Sequence, residues 1–465
     1  MSKNSNDSRL ENQKLVAAMI TSDDPLEDGG PSQRRRSAQR RRIYREAGKL
    51  FEENGGEKGG GFEKTTVEQI AARSDISVRT FFRYFESKAD VIYVNMPVTV
   101  AIHLAWTKKR LEHSDPLTAC VEASTVQLTY TMADDLDHSR VYRAAVSPLC
   151  MARRGRFREH WKRELSQLVE GHLTAGTNVG PRALAISALA LNVHDLSIRS
   201  WAAEKKKEIL DCIADALDAT RWAIMEALPA SIEDNLNVGS KSEDLSASQR
   251  RRTAQKRRIV AEAVRLFEEN GGEEGGGHDN TTVEQIAERS DISVRTFFRY
   301  FQSKTDVIYL DTRAMMDEHT DLARLWLSRQ HPALACLTAS LIQLQDFFED
   351  AQNVDHALRS LGSMAYMERF GSFRRSWEDE LAAAIEPQLP KNKDSHLKAV
   401  AIAGVTLDIR AHALDIWRQS EGQIALTHCF SQALECIRDV SEKELPKRID
   451  PALDWRLTAD NEEKI

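Results

Sequence analysis

A chain of 465 residues, 41% apolar, 29% charged and with a formal charge of −7, has room for two to four domains at roughly 100 to 200 residues each. No run reaches the roughly 18 to 20 apolar residues of a membrane span, and the start of the chain lacks the apolar stretch of a signal peptide, so a soluble, cytoplasmic protein is expected. Six cysteines, none in a C-x-x-C pair, exclude a disulfide framework and a zinc site, and are expected to be reduced core residues.

In chain order, residues 1–31 are polar and expected to lack fixed structure, although LVAAMI (15–20) could form a short helix. A head follows over 32–93. It opens on a basic arm, with six Lys/Arg and no acid between Gln33 and Arg42. Ile43, Ala47, Leu50 and Phe51 then fall at helical spacing, predicting an amphipathic helix over 41–54 that stops in a glycine-rich loop. Thr65-x-x-Glu68 has the form of a capping box opening a second helix. After the turn Ser74-Asp75-Ile76-Ser77, Ser77 can cap a third helix, and Ser87-x-x-Asp90 can open a fourth. Helix, tight turn, helix, with a supporting helix before them, is the helix-turn-helix plan. Residues 94–229 are helical by periodicity, and the polar stretch 230–247 reads as a linker.

The chain then repeats itself. TTVEQIAARSDISVRTFFRYFESKADVIY (65–93) returns as TTVEQIAERSDISVRTFFRYFQSKTDVIY (281–309), differing only at Ala72/Glu288, Glu86/Gln302 and Ala89/Thr305. The offset is 216 residues without a gap. A second head therefore spans 248–309, a second helical body 310–440 and a tail 441–465, the tail expected to be unstructured. The bodies have drifted far more than the heads. The first head carries 14 Lys+Arg against 9 Asp+Glu and the second 11 against 10, so the acidity belongs to the rest of the chain.

The third helix of each head carries the functional reading. Val78, Phe81, Phe82 and Phe85 form the predicted core stripe, and Arg79, Thr80, Arg83 and Tyr84 stand opposite, repeated as Arg295, Thr296, Arg299 and Tyr300. Two arginines one turn apart suit guanine O6/N7 or phosphate, and the hydroxyls can donate to phosphate. A solvated charged face is the bland alternative. It is disfavoured because the face is unchanged between copies that have diverged elsewhere. Ser77 and Ser293 begin these helices. Thr66 and Thr282 mark helix N-termini that favour a phosphate or are simply capped. Lys88 and Lys304 follow the third helix, and Arg34, Arg35, Arg36, Arg250, Arg251 and Arg252 could track phosphates, enter a minor groove or merely solubilise the chain.

The run TTVEQIAARSDISVRTFFRYFESKAD and its second copy resemble the signature T-T-V-x-x-I-A-x-x-A-G-V-S-x-x-T-x-Y-x-x-F-x-x-K-x-x-L of the tetracycline-repressor (TetR) family of bacterial regulators. The resemblance covers about 60 residues of each head, while the bodies match in size and helical character only. Two features depart from the pattern: Asp75 and Asp291 occupy the usual turn glycine, and the glycine-rich loops are long. The resemblance implies an all-α fold of two tandem units, each a DNA-binding head followed by a body that encloses a small-molecule pocket and ends in two interface helices. Here those would be 182–203 with 206–228, and 397–418 with 423–438. Family members are usually single units that pair as homodimers, so this fusion implies a pseudo-dimer within one chain, and two such chains could pair further.

The implied partners are double-stranded DNA with an inverted-repeat operator and a small apolar effector; no membrane is implied. Trp106 and Trp326 are weak candidates for a pocket wall, whereas Trp161/Trp377 and Trp201/Trp417 repeat in register and read as packing or interface residues. A ligand-released repressor is the leading reading, and a constitutive DNA-binding factor, activating or architectural, is the alternative. No H-E-x-x-H, G-x-S-x-G, P-loop or strand-preceded G-x-G-x-x-G occurs, so no catalytic residue, metal ligand or cofactor is expected.

Overall fold

The computed structural model describes residues 31–56, 60–94, 96–132, 148–173, 179–204, 207–232, short stretches between 251 and 271, 280–301, 304, 307, 312–348, 354 and 364–453. The expected helix at 15–20 and nearly all of the linker 230–247 lie outside them. The chain divides into two compact units, one of Met1–Arg221 with Asp439–Ile465 and one of Trp222–Arg438. Among the described residues there is no strand, and no helix is long and apolar enough to cross a membrane.

In the first unit the head comprises α1 (Pro31–Glu53), a single turn α2 (Gly61–Lys64), α3 (Val67–Arg73), α4 (Val78–Tyr84) and α5 (Lys88–Ile92). Helix α1 begins ten residues before the predicted start, so the basic arm is helical. The reason is local: Pro31 is compatible with the first helical turn, and Gln, Arg and Ala over 33–42 are strong helix formers. The head core is one cluster including Ile43, Ala47, Phe51, Phe62, Ile70, Phe81 and Ile92. Gly61 is required where α2 meets the end of α1, because a Cβ there would lie 1.8 Å from the Phe51 carbonyl oxygen. Asn54 Nδ2 closes the long loop by donating to Thr65 Oγ1 at 2.9 Å.

The first body consists of α6 (Met96–Arg110), α7 (Pro116–Met132), α8 (Pro148–Glu170), α9 (Val179–Ala203) and α10 (Ile209–Trp222), the last running into a π-turn over Ala223–Ala227. Helices α6 and α7, α8 and α9, α7 and α9, and α6 and α8 pack pairwise, and α5 leans on α8. The chain end belongs to this unit. The Glu444 carboxylate accepts from the Leu117 backbone N–H at 3.1 Å and pairs with Arg182, which also holds Asp439 at 2.8 Å. Arg221 donates to the Pro446 carbonyl at 2.6 Å, and Leu453 is buried against Ile102, Trp106, Ala123 and Val126. The reading of 441–465 as an unstructured tail is therefore corrected up to Leu453. The segment lacks apolar periodicity, but two leucines and its carbonyl groups are enough to anchor it.

In the second unit the head repeats, with α11 (Val283–Arg289) and α12 (Val294–Tyr300) over a core of Ile259, Ala263, Leu266, Phe267, Ile286, Phe297 and Phe301. Its body consists of α13 (Thr312–Leu327), α14 (Pro332–Phe348), α15 (Met364–Ile385), α16 (Ser395–Gln419) and α17 (Leu426–Glu444). The same four helix pairings recur, α13 with α14, α15 with α16, α13 with α15 and α14 with α16. Five of the six cysteines are buried, and all six are unbridged.

Candidate DNA interface and effector pocket

Capping fixes the two short helices of each head. Thr66, one residue later than predicted, caps α3: its Oγ1 accepts from Gln69 N at 3.3 Å, and Gln69 Oε1 accepts from Thr66 N at 2.9 Å. Thr65 is instead buried and donates to the Gly61 carbonyl. Asp75 and Asp291 take the left-handed turn, with φ of 55° and 53°, a conformation that aspartate tolerates better than most residues. Ser77 Oγ then accepts from Thr80 N at 3.0 Å, and Ser293 from Thr296 N at the same distance. These bonds satisfy donors that the helix start leaves open.

This frame presents Arg79, Arg83, Arg295 and Arg299 as exposed side chains, and none has a carboxylate partner among the described residues. Each second arginine lies beside the following tyrosine ring, Arg83 at 5.4 Å from Tyr84 and Arg299 at 5.2 Å from Tyr300. Thr80, Tyr84, Thr296 and Tyr300 are half-buried, and Thr66, Ser77, Thr282 and Ser293 are exposed. The contrast is Arg73, whose guanidinium donates to both Glu53 oxygens at 2.7 and 3.0 Å and thereby ties α3 to α1, as Arg289 does with Glu269. Those carboxylates are held below their ordinary pKa by hydrogen bonds from the arginines.

Three expectations change. Lys88 is not presented outward: its Nζ donates to the carbonyls of Phe62 at 2.5 Å and Thr65 at 2.7 Å and sits 4.4 Å from the Phe62 ring centroid. Burial lowers its pKa, and its role is to cap the end of α2. Lys304 likewise donates to the Thr281 carbonyl at 2.7 Å. Phe82, assigned to the core stripe, is 53% exposed, and Phe298 is 54% exposed. Phe82 lies about 40° round the helix from Val78, at the edge of the stripe, and Phe85 has already left the helix, so of the stripe Phe81 and Phe85 are buried in the head core and Val78 packs against it. Arg35, Arg36 and Arg251 are exposed, with Arg34 on α1; Arg250, Arg252 and the side chain of Arg34 lie outside the described residues.

The first body holds a pocket partly open to solvent, with apolar walls from Ile92, Met96, Leu128, Leu191 and Ile198. Its polar side is a chain of hydrogen bonds. His194 Nε2 donates to Gln127 Oε1 at 3.0 Å, and Gln127 Nε2 donates to Thr131 Oγ1 at 2.8 Å. Arg158 is matched by Asp195 at 2.9 Å and bonds Asn192 at 2.9 Å, so its guanidinium charge is balanced within the site. Trp161, read from sequence as a packing residue, also lines this pocket, its ring 4.9 Å from that of His194. Behind it, Trp161 Nε1 donates to His103 Nδ1 at 3.1 Å. Full burial and the nearby His194 push the His103 pKa down to about 3, so the ring is neutral and Nε2 faces the Cys120 carbonyl.

The two weak tryptophan candidates stand elsewhere. Trp106 is buried in the cluster that holds Leu453, and Trp326 is half-buried beside Arg329. His103 was missed by the sequence reading, although its counterpart His319 lies 216 residues on and bonds Trp377 in the same way at 2.9 Å. Retention of a buried polar pair in both drifted bodies was the available signal.

Comparison with known proteins agrees with this geometry. The family model described as "Bacterial regulatory proteins, tetR family" matches residues 43–92 and 259–308. The HTH-type transcriptional regulator TcmR of Streptomyces glaucescens is 38% identical over 202 residues, 41% of this chain and 85% of that protein. The chain belongs to the TetR family of DNA-binding transcriptional regulators, as two tandem units of it.

Proposed function

We propose that this regulator is a repressor that holds an inverted-repeat operator with its two heads and leaves it when a small effector fills a body pocket. The observation that carries the reading is the pair of identical, exposed arginine faces on α4 and α12, without a carboxylate partner among the described residues. Arg79, Arg83, Arg295 and Arg299 contact guanines or phosphates, and Thr80, Tyr84, Thr296 and Tyr300 donate to phosphates. Thr66, Ser77, Thr282 and Ser293 offer a phosphate the helix N-termini they cap. Arg34 to Arg36 and Arg250 to Arg252 add sequence-independent attraction. Phe82 and Phe298 join the face as apolar contacts to thymine methyl groups.

Equal heads call for equal half-sites. Paired recognition helices read half-sites about one helical turn, roughly 34 to 36 Å, apart. A second head tethered in the same chain arrives at millimolar effective concentration, so one chain can act as its own pseudo-dimer. The pocket in the first body, with α5 of the head leaning on α8, supports coupling between ligand and head. An effector shifts DNA affinity only by its differential affinity for the two head arrangements. Selection from random duplex DNA tests the proposal: enrichment of an inverted repeat supports it, and enrichment of a single half-site or of nothing overturns it. If every pocket-binding molecule left operator affinity unchanged, a constitutive DNA-binding factor would replace the repressor.

A further inference from the structure

The two bodies share helices and pairings, yet six of the thirteen positions that line the first pocket differ in the second. At the 216-residue offset, Thr99 is matched by Met315, Thr131 by Phe347, His194 by Arg410 and Asp195 by Ala411, and Asn192, which holds the lining Arg158, by Asp408. Trp161 and Trp377 remain, each held by its histidine. What faces the tryptophan has changed. In the first body it is the imidazole of His194. In the second it is the guanidinium of Arg410, 1% exposed, 5.3 Å from the Trp377 ring centroid and donating to the Ser340 carbonyl at 3.3 Å.

A buried ionic cluster includes Asp408, on the same helix as Arg410. Arg374 pairs with Asp408 at 2.7 Å and Glu378 at 2.8 Å and donates to the Gly404 carbonyl at 3.1 Å, all on α15 and α16. Gln343, the counterpart of Gln127, donates to the Met315 carbonyl at 2.7 Å and to Glu318 at 3.3 Å. Gln127 instead bonds two other pocket-lining side chains. At the end of α14, Phe347 lies 5.3 Å from Phe348, which stacks on Trp417 at 4.2 Å. A molecule entering there would have to displace a buried cation and larger side chains from partners that water cannot replace.

We propose that the chain takes a single effector, in the first body only, and that the second body has exchanged its pocket for a buried ionic plug. The ligand is an uncharged, mostly apolar molecule with hydrogen-bonding groups along one edge. The apolar walls of the first pocket favour it, Arg158 is already matched by Asp195, and Gln127, Thr131 and His194 form one polar side. This inference rests on the effector reading above and says which half of the protein carries it.

The probe is Nile red, an uncharged planar dye, titrated into the full chain with its operator present and absent. The expected result is one dye per chain, lost in the double variant Asn192→Asp/His194→Arg and, independently, in Thr131→Phe, each of which places a second-body residue in the first pocket. Two equivalent dyes per chain overturn the inference, as does full binding in both variants with an unaltered far-UV circular dichroism spectrum. If a variant fails to fold, the stoichiometry of the unaltered chain decides alone. One dye per chain without loss of operator affinity retires the effector reading and leaves the single-pocket inference standing.

Discussion

Two cations of the first head, Arg79 and Lys88, look alike in sequence and differ in what they touch. Arg79 is exposed and without a carboxylate partner among the described residues, whereas the Lys88 ammonium is used up on the Phe62 and Thr65 carbonyls. Arg79→Ala should therefore weaken operator binding by ~1–3 kcal/mol while leaving thermal unfolding unchanged. Lys88→Met should do the reverse, destabilising the head by ~1–3 kcal/mol because buried carbonyls lose their donor. Equal loss of DNA affinity in both, at matched folded fraction, would contradict the assignment. A buried neutral histidine makes a second residue-level prediction. The folded pKa of His103, like that of His319, is about 3, below the ordinary 6.5, so the unfolded chain binds more protons between those values. Stability is then fully present above about pH 6.5 and falls as pH drops toward 3, by up to several kcal/mol per histidine. Denaturant titrations of the double variant His103→Gln/His319→Gln across that range should show a shallower slope; an unchanged slope would contradict the neutral pairs.

At the scale of elements, much of each head was legible because capping residues, turn and apolar spacing all pointed one way. Ser77 caps α4 as its position predicts, and Asp75 takes the turn. What was not legible depended on tertiary closure. Phe82 lies at the edge of its stripe and is left exposed, and Lys88 finds its carbonyl partners 23 and 26 residues away in sequence. The pocket was illegible for the same reason, since Trp161, Gln127 and His194 come from three helices. The chain end is a further case: its anchors Leu445 and Leu453 are isolated in a polar stretch. Truncation after Glu444 should expose the cluster around Trp106 and strip Arg221 of its carbonyl partners. A destabilisation of ~2–4 kcal/mol is expected at roughly 1.5–3 kcal/mol per buried leucine before partial relaxation. Calorimetry reads it directly, and an unchanged transition would contradict the anchoring role.

For the whole molecule, net charge was the misleading quantity and the repeat the informative one. A chain of −7 carries two heads whose exposed arginine faces agree residue for residue, while its bodies have diverged at the pocket of the first, where His194 is matched by Arg410 in the second. Matching arginine faces and unequal bodies fit the proposed symmetric recognition of DNA under asymmetric control by ligand. The central claim is that both heads of one chain engage one operator together. The most direct test is equilibrium binding of the full chain to its selected inverted repeat and to the same duplex with one half scrambled. Joint engagement predicts that scrambling either half weakens binding by about 10²- to 10⁴-fold; equal affinity for the intact and half-scrambled duplexes would contradict it.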